Sequence, residues 1–250
     1  MGNRERHIMI GTSNIVVPGN KASFPPPYNV KSRLHYYSTF FNSIEINQSF
    51  YKLPLPATFE RWAGEVGDNF RFSIKLSKDI THNKTLGADL KLVDKFWYAA
   101  ERLGKKDGCI LVQFPGKITL DHFNEVAAIL ERIGSAADGK RCRIAVEFRH
   151  KSWYCGETYE LLNTHQATLV LHDMPKSRVT EDLTDAAFVY LRFHGPAGDY
   201  RGTYTNAVLK QKAADIKRWA RQGKEVYVYF NNTIGTAFDD AVRLQKMVKG

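Results

Sequence analysis

Glu147 and Arg149 stand two residues apart at the end of the run Ile144-Ala-Val-Glu-Phe-Arg149, and on an extended strand residues two apart share a face. Ile144, Val146 and Phe148 then suit a helix layer, while Ala145, Glu147 and Arg149 suit an enclosed polar space. The same pattern recurs along the chain. Ser43-Ile-Glu-Ile-Asn47 sets Glu45 and Asn47 opposite Ile44 and Ile46, and Phe70-Arg-Phe-Ser-Ile-Lys75 ends on Lys75. Cys109-Ile-Leu-Val-Gln-Phe114 brings Gln113 to a strand end, and Phe188-Val-Tyr-Leu-Arg-Phe-His194 sets Tyr190, Arg192 and His194 against Val189, Leu191 and Phe193. In Val226-Tyr-Val-Tyr-Phe-Asn-Asn232, Tyr227, Tyr229 and Asn231 share a face. Two carboxylates among cations, a histidine and amides are the materials of acid–base or nucleophilic chemistry on an anionic substrate.

Only certain scaffolds bring such strand ends together. The strand-like runs centre near residues 8, 44, 72, 111, 145, 169, 190 and 228, and helical spacing covers about 30–41, 58–66, 89–103, 120–133, 157–164, 207–222 and 236–248. Eight alternating units in 250 residues predict one α/β domain over 1–250, a (β/α)8 TIM barrel. An open doubly wound sheet is the runner-up, although no Gly-rich dinucleotide or phosphate-loop fingerprint follows the first strand.

In a closed barrel, inward glutamates on strands two and five hold their carboxyls roughly 6 to 8 Å apart, which overlaps the spacing of inverting glycosidases. Lys75, Arg149 and Arg192 favour ionised carboxylates, so Glu147 and Glu45 read as base or nucleophile and His194 or Tyr229 as the acid. Asn47, Lys75, Gln113, Arg149, Arg192, Tyr229 and Asn231 read as substrate contacts. Trp153 is either a stacking platform or a lid over the core, and His82 a hydrogen-bonded structural residue. Alternation does not decide whether His172 or Asp173 faces the site. A divalent ion held by Glu45, Glu147, His172, Asp173 and His194 is the alternative, but three neighbouring cations oppose it, so neither metal nor cofactor is expected.

Lys and Arg total 36 against 26 Asp and Glu, and the net charge of +10 favours a small anionic substrate or nucleic acid. The second fits less well, because residues such as Lys105, Lys106, Lys217 and Arg221 are scattered as on ordinary solvated helices. Cys109, Cys142 and Cys155 lack metal-ligand spacing and read as reduced, buried thiols. No run is long enough to span a membrane, and Met1–His7 lacks the apolar segment of a secretory signal, so a cytoplasmic protein is expected. The oligomeric state is left open.

Ile10-Gly-Thr-Ser13, Glu45-Ile-Asn-Gln-Ser-Phe-Tyr-Lys-Leu-Pro54, Lys75 with Ile80-Thr-His82, Val146-Glu-Phe-Arg149 with Ser152-Trp153, Arg192-Phe-His-Gly195 with Tyr200, Gly202 and Tyr204, and Tyr227-Val-Tyr-Phe-Asn-Asn232 together resemble the YecE-like family, domain of unknown function seventy-two. The resemblance spans nearly the whole chain. It implies a TIM barrel with these strand-end residues and supplies no reaction. Where the family runs on through Gly-Trp and an aromatic, this chain reads Asn14-Ile-Val-Val-Pro18, so what the resemblance implies about ligand contacts does not extend to the first loop.

Overall fold

The computed structural model describes residues 7–83, 86–87, 89–139, 142–181 and 183–250; Met1–Arg6, read above for a secretory signal, lie outside them. Among the described residues nine strands form: β1 (Ile8–Thr12), β2 (Ser43–Ile46), β3 (Arg71–Lys75), β4 (Asp107–Phe114), β5 (Ile144–Phe148), β6 (Thr168–Leu169), β7 (Leu171–His172), β8 (Phe188–Phe193) and β9 (Glu225–Phe230). They make an α/β fold with two parallel sheets, in the orders β1-β9-β8-β7 and β2-β3-β4-β5-β6.

All eight expected strand positions are occupied, but the hydrogen-bond ladder is not the single closed ring that was expected. One break falls inside the expected strand at 169. Thr168 and Leu169 pair with β5, Leu171 and His172 pair with β8, and Val170 between them donates its N–H to Val146 O at 2.8 Å. The other falls between β1 and β2, where side chains replace backbone rungs. Asn42 accepts from Ile10 N–H (3.0 Å) and donates to Ile8 O (2.8 Å), while the Tyr37 hydroxyl accepts from Thr12 N–H (2.7 Å) and donates to Ser43 O (3.0 Å). Beyond them a Ser13–Glu45 bridge forms, with Asn14 N–H on Glu45 O at 2.7 Å. Gly11 is required here, since a Cβ on it would lie 2.0 Å from Ser43 O.

The helices follow their strands. They are α1 (Arg33–Tyr37), α2 (Gln48–Tyr51), α3 (Pro56–Glu65), α4 (Lys78–Thr81), α5 (Lys91–Ala100), α6 (Phe123–Ala136), α7 (Gly156–Thr164), α8 (Asn206–Arg221) and α9 (Ala237–Lys249). Their starts are legible chemistry. Pro56 occupies the first turn of α3, where its missing N–H costs nothing, and the Thr205 hydroxyl caps α8 by accepting from Val208 N–H. Along α8 the buried residues Leu209, Ala213, Ile216 and Trp219 recur at helical spacing. The expected helix over 30–41 shortens to 33–37, because a 3₁₀ turn occupies Tyr28–Val30 and turns follow Tyr37. Among the described residues no helix lies between β7 and β8; instead Val179 pairs back antiparallel to His172. None of the described helices is long and apolar enough to cross a membrane.

Strand alternation sorts the apolar residues into two clusters. Ile44, Ile74, Val112, Val146, Phe148, Leu191 and Val228 face the helices. Met9, Cys109, Leu111, Ala145, Val170, Phe188, Tyr190, Tyr227 and Tyr229 pack on the other face, as a plug beneath the polar strand ends. All three cysteines are free thiols; Cys109 is buried, and Cys142 and Cys155 are half-buried.

Candidate functional site

Arg192, inward on β8, is the centre of the cluster. Its Nε and Nη2 donate to the two oxygens of Glu45 at 2.9 and 2.8 Å, and its Nη1 donates to Glu147 Oε2 at 2.6 Å. Three strands from both sheets thus meet on one guanidinium. Glu45 also accepts from Ser13 Oγ at 2.6 Å and Tyr190 OH at 2.7 Å, so each of its oxygens has two donors. Both carboxylates and Arg192 are sealed from solvent. Burial alone would raise the Glu45 carboxyl, but the charge of Arg192 and these donors hold it below the ordinary value. Burial likewise opposes ionisation of Glu147, and Arg149 and Arg192 outweigh it and drive that carboxyl well down.

Arg149 lies toward the mouth of the cluster, its side chain 13% exposed. Its Nε donates to Glu147 Oε1 and its Nη2 to His194 Nε2 at 3.0 Å. Arg192 Nη1 also approaches that nitrogen, at 3.2 Å. Two guanidinium donors on one imidazole nitrogen require it to present a lone pair, so the ring proton sits on Nδ1, which faces Asp173 Oδ1 at 3.3 Å. Burial pushes His194 toward the neutral form more strongly than Asp173 and Glu147 restore its charge. Asp173 is itself fixed: Oδ1 accepts from His194 N–H at 2.8 Å, and Oδ2 accepts from the Tyr204 hydroxyl, which in turn accepts from Gly195 N–H at 2.6 Å. Tyr200 folds back over this corner with φ of 66°, its ring 5.8 Å from that of His194.

Lys75, at the end of β3, is nearly buried and differs from the other cations. Its Nζ donates to Gln113 Oε1 at 2.8 Å and lies 3.9 Å from the centre of the Phe50 ring. Phe50 comes from α2, which the chain enters directly after β2, and Ser49 Oγ ties that turn to Lys75 O at 2.7 Å. Burial, with the charge of Arg192 next, pulls the ammonium down to about 7, against the opposing pull of Glu147 and Glu45. His82 packs edge-on against Phe50 and is lowered to about 4 by burial and then by Lys75.

Glu45, Lys75, Gln113, Glu147, Arg149, Arg192 and His194 therefore gather as their alternation suggests. One open choice closes and three expectations change. Trp153 is fully buried on the helix side, stacked on Phe148 at 4.2 Å with its Nε1 donating to Ile118 O, so it is core rather than a stacking platform. Tyr229 lies one layer below the charges, its hydroxyl bonded to Ser43 Oγ (2.5 Å) and Ser73 Oγ (2.9 Å), and burial raises it far above the usual phenol range. Its hydroxyl is held by these two serines below the cluster rather than presented at the mouth. His194, pushed by burial toward the neutral form with its Nε2 accepting from Arg149 and Arg192, does not offer at Nε2 the proton that the expected acid role needs. The space between Glu45 and Glu147 holds the Arg192 guanidinium rather than room for a water.

Asn47 and Asn231 are half-buried at the ends of β2 and β9. Among the described residues Asn47 Oδ1 is buried without a hydrogen-bond partner, whereas the Asn231 backbone N–H donates to Phe193 O at 2.7 Å. Both candidates left open, His172 in β7 and Asp173 just past it, reach the cluster. His172 bonds Phe148 O (3.2 Å) and packs against His194, burial lowering it to about 4, and Asp173 joins from just past the end of β7. Phe50, Asp173, Tyr200 and Tyr204 join as site residues that strand alternation could not find, because none lies on a strand; Ser13 lies just past β1. Among the described residues no three His, Cys, Asp or Glu side chains gather as ligands for an ion.

Known proteins share this architecture. A DUF72 protein from Enterococcus faecalis V583 superposes with a TM-score of 0.79 at 22% identity, covering 97% of this chain and 96% of that one. A DUF72 protein from Thermotoga maritima MSB8 superposes with a TM-score of 0.74 at 25% identity, covering 97% and 99%. In sequence the chain is 24% identical to UPF0759 protein YunF of Bacillus subtilis over 242 residues, 85% of this chain and 84% of YunF. It is 29% identical over 131 residues to UPF0759 protein YecE of Escherichia coli K12, 52% of this chain and 46% of YecE. The family described as "Protein of unknown function DUF72" matches residues 9–250, and the chain belongs to that family.

Proposed function

We propose that residues 1–250 act as one (β/α)8 barrel whose mouth binds a small polar anion, and that the reaction there is a metal-independent proton transfer of the isomerase type. The Ser13–Glu45 bridge and the continuous run Thr168–His172 support treating the two sheets as one barrel. Ligands at the carboxyl ends of parallel strands are the rule for such folds.

One observation carries the functional reading: the carboxylates are satisfied from below by Arg192, while donors on Arg149 and Lys75 remain at the mouth. Arg149 spends Nε and Nη2, and among the described residues its Nη1 has no acceptor. An anion arriving there meets unspent charge, and Lys75 is the group poised to exchange a proton near neutral pH. A glycosidase-like hydrolysis is less well supported, because Arg192 occupies the gap that its water needs. A divalent ion among Glu45, Glu147 and His194 would sit against the same guanidinium.

Phosphate and sulfate should raise the melting temperature of the wild type, because a ligand that binds only the native state stabilises it by mass action. Arg149→Met should remove that rise and keep the fold. Phosphorylated sugars and sugar acids that stabilise the protein are then incubated in D2O, where turnover places deuterium next to the carbonyl. An unchanged rise in Arg149→Met puts the anion elsewhere, and a short DNA that stabilises more than phosphate does would favour a nucleic-acid partner.

A further inference from the structure

We infer that Lys75 forms an imine with a short aldehyde or ketone that carries a phosphate or carboxylate, the anionic group resting on Arg149. This rests on the anion-binding reading above and names the substrate class. Among the described residues no carboxylate lies within ion-pair distance of Lys75; its partners are the neutral amide of Gln113 and the face of Phe50. Lys106, also largely buried, is by contrast tied down. Its Nζ donates to Ala63 O and Val66 O at 2.7 Å each and stands 3.6 Å from Asp68. Burial, with the charge of Arg192 next, disfavours the ammonium against the pull of Glu147 and Glu45, so near neutral pH the nucleophilic amine is populated beside the ammonium. It also keeps 9% of its surface, at the carboxyl end of β3, so a carbonyl can reach it.

The step balances without any further reactant. The Nζ lone pair attacks the carbonyl carbon, the C–N bond forms as the carbonyl π pair moves to oxygen, and a proton passes from nitrogen to that oxygen to give the carbinolamine. The C–O bond then breaks, the remaining N–H proton leaves with the hydroxide as water, and the imine stays on Lys75. Gln113 turns Oε1 to the amine, and among the described residues its Nε2 has no acceptor, which makes it the donor for the carbinolamine oxygen. The imine draws electrons from the neighbouring C–H bond, which is the activation that an isomerase-type proton transfer requires.

The test traps the imine. Wild-type protein is incubated with glyoxylate or glycolaldehyde phosphate and reduced with sodium borohydride, and the modified lysines are mapped by peptide mass. Lys75 is expected to carry the secondary amine well ahead of exposed lysines, acetaldehyde to label it about tenfold less, and Arg149→Met to lower labelling by the anionic aldehydes by about tenfold, the worth of a charge-assisted hydrogen bond. Lys75 unmodified, with phosphate still raising the melting temperature, overturns the imine and leaves the anion site standing. Lys75 unmodified and phosphate without effect overturns both. Equal labelling by acetaldehyde overturns the anionic class of the substrate.

Discussion

Arg192 grips Glu45 with two parallel hydrogen bonds, Nε to Oε2 at 2.9 Å and Nη2 to Oε1 at 2.8 Å, across the space between the two sheets. The geometry is the planar fork that only arginine supplies. Removing it leaves two buried carboxylates without their shared counter-charge. Arg192→Met should therefore cost about 3–5 kcal/mol in urea unfolding at pH 7, the usual penalty for breaking a buried ion pair. The pH sign follows from the lowered carboxyls of Glu45 and Glu147. Their contribution to the wild type is full above the unfolded value, about 4.3, and fades as pH falls through the lower folded values. The deficit of Arg192→Met should shrink in acid accordingly; a deficit that is constant down to pH 3 would mean that packing, not charge, sets it.

The junction of β1 and β2 makes a second, independent test. Tyr37→Phe removes the hydroxyl that joins Thr12 N–H to Ser43 O and leaves a buried donor and acceptor unpaired. A loss of about 1–3 kcal/mol is expected. Amide exchange at Thr12 should accelerate more than at Val228 in the adjacent β9, and equal protection in both would show that the rung does not depend on the hydroxyl.

Much of this site is legible in the sequence, because a strand has a fixed period of two. That period brings Glu45, Lys75, Gln113, Glu147 and Arg192 to one end of the parallel strands with no other information. What the period omits is reach. An arginine side chain is long enough to cross the interior, so Arg192 fills the gap that strand spacing alone assigns to water. Off the strands, periodicity carries nothing: Phe50 sits on α2, Asp173 just past the end of β7, and Trp153 leaves β5 along a 3₁₀ turn, Lys151–Trp153, that swings it to the helix side. The break at Val170 explains why His172 and Asp173 resisted assignment, since the run changes sheets there.

Trp153 separates packing from binding. Trp153→Phe should lose the Nε1–Ile118 hydrogen bond and part of the stack on Phe148, costing on the order of 1–3 kcal/mol. The stabilisation by phosphate should keep its wild-type size. A variant of unchanged stability that no longer responds to phosphate would return Trp153 to the mouth.

Lys75 offers the opposite signature, a residue whose removal strengthens the fold. Burial first, and Arg192 next, bring its folded value down to about 7, whereas the unfolded value is about 10.4. Between those values the unfolded chain binds the extra proton, so the stability of the wild type should rise with pH from about 7 to about 10. Below 7 the cost of charging this amine in place is constant and largest. Lys75→Met should therefore be more stable than the wild type at pH 7, by a few kcal/mol at most, since each tenfold loss of proton affinity on folding is worth about 1.4 kcal/mol. The gap should close as pH approaches 10. Binding is expected to change in the other direction: an anion beside Lys75 favours its charged form, so phosphate binding at pH 8 should take up a proton. Calorimetry in two buffers of different ionisation heat reads this directly, and the uptake should vanish in Lys75→Met. If the variant is instead less stable at pH 7 and takes up the same number of protons, Lys75 is a structural tie.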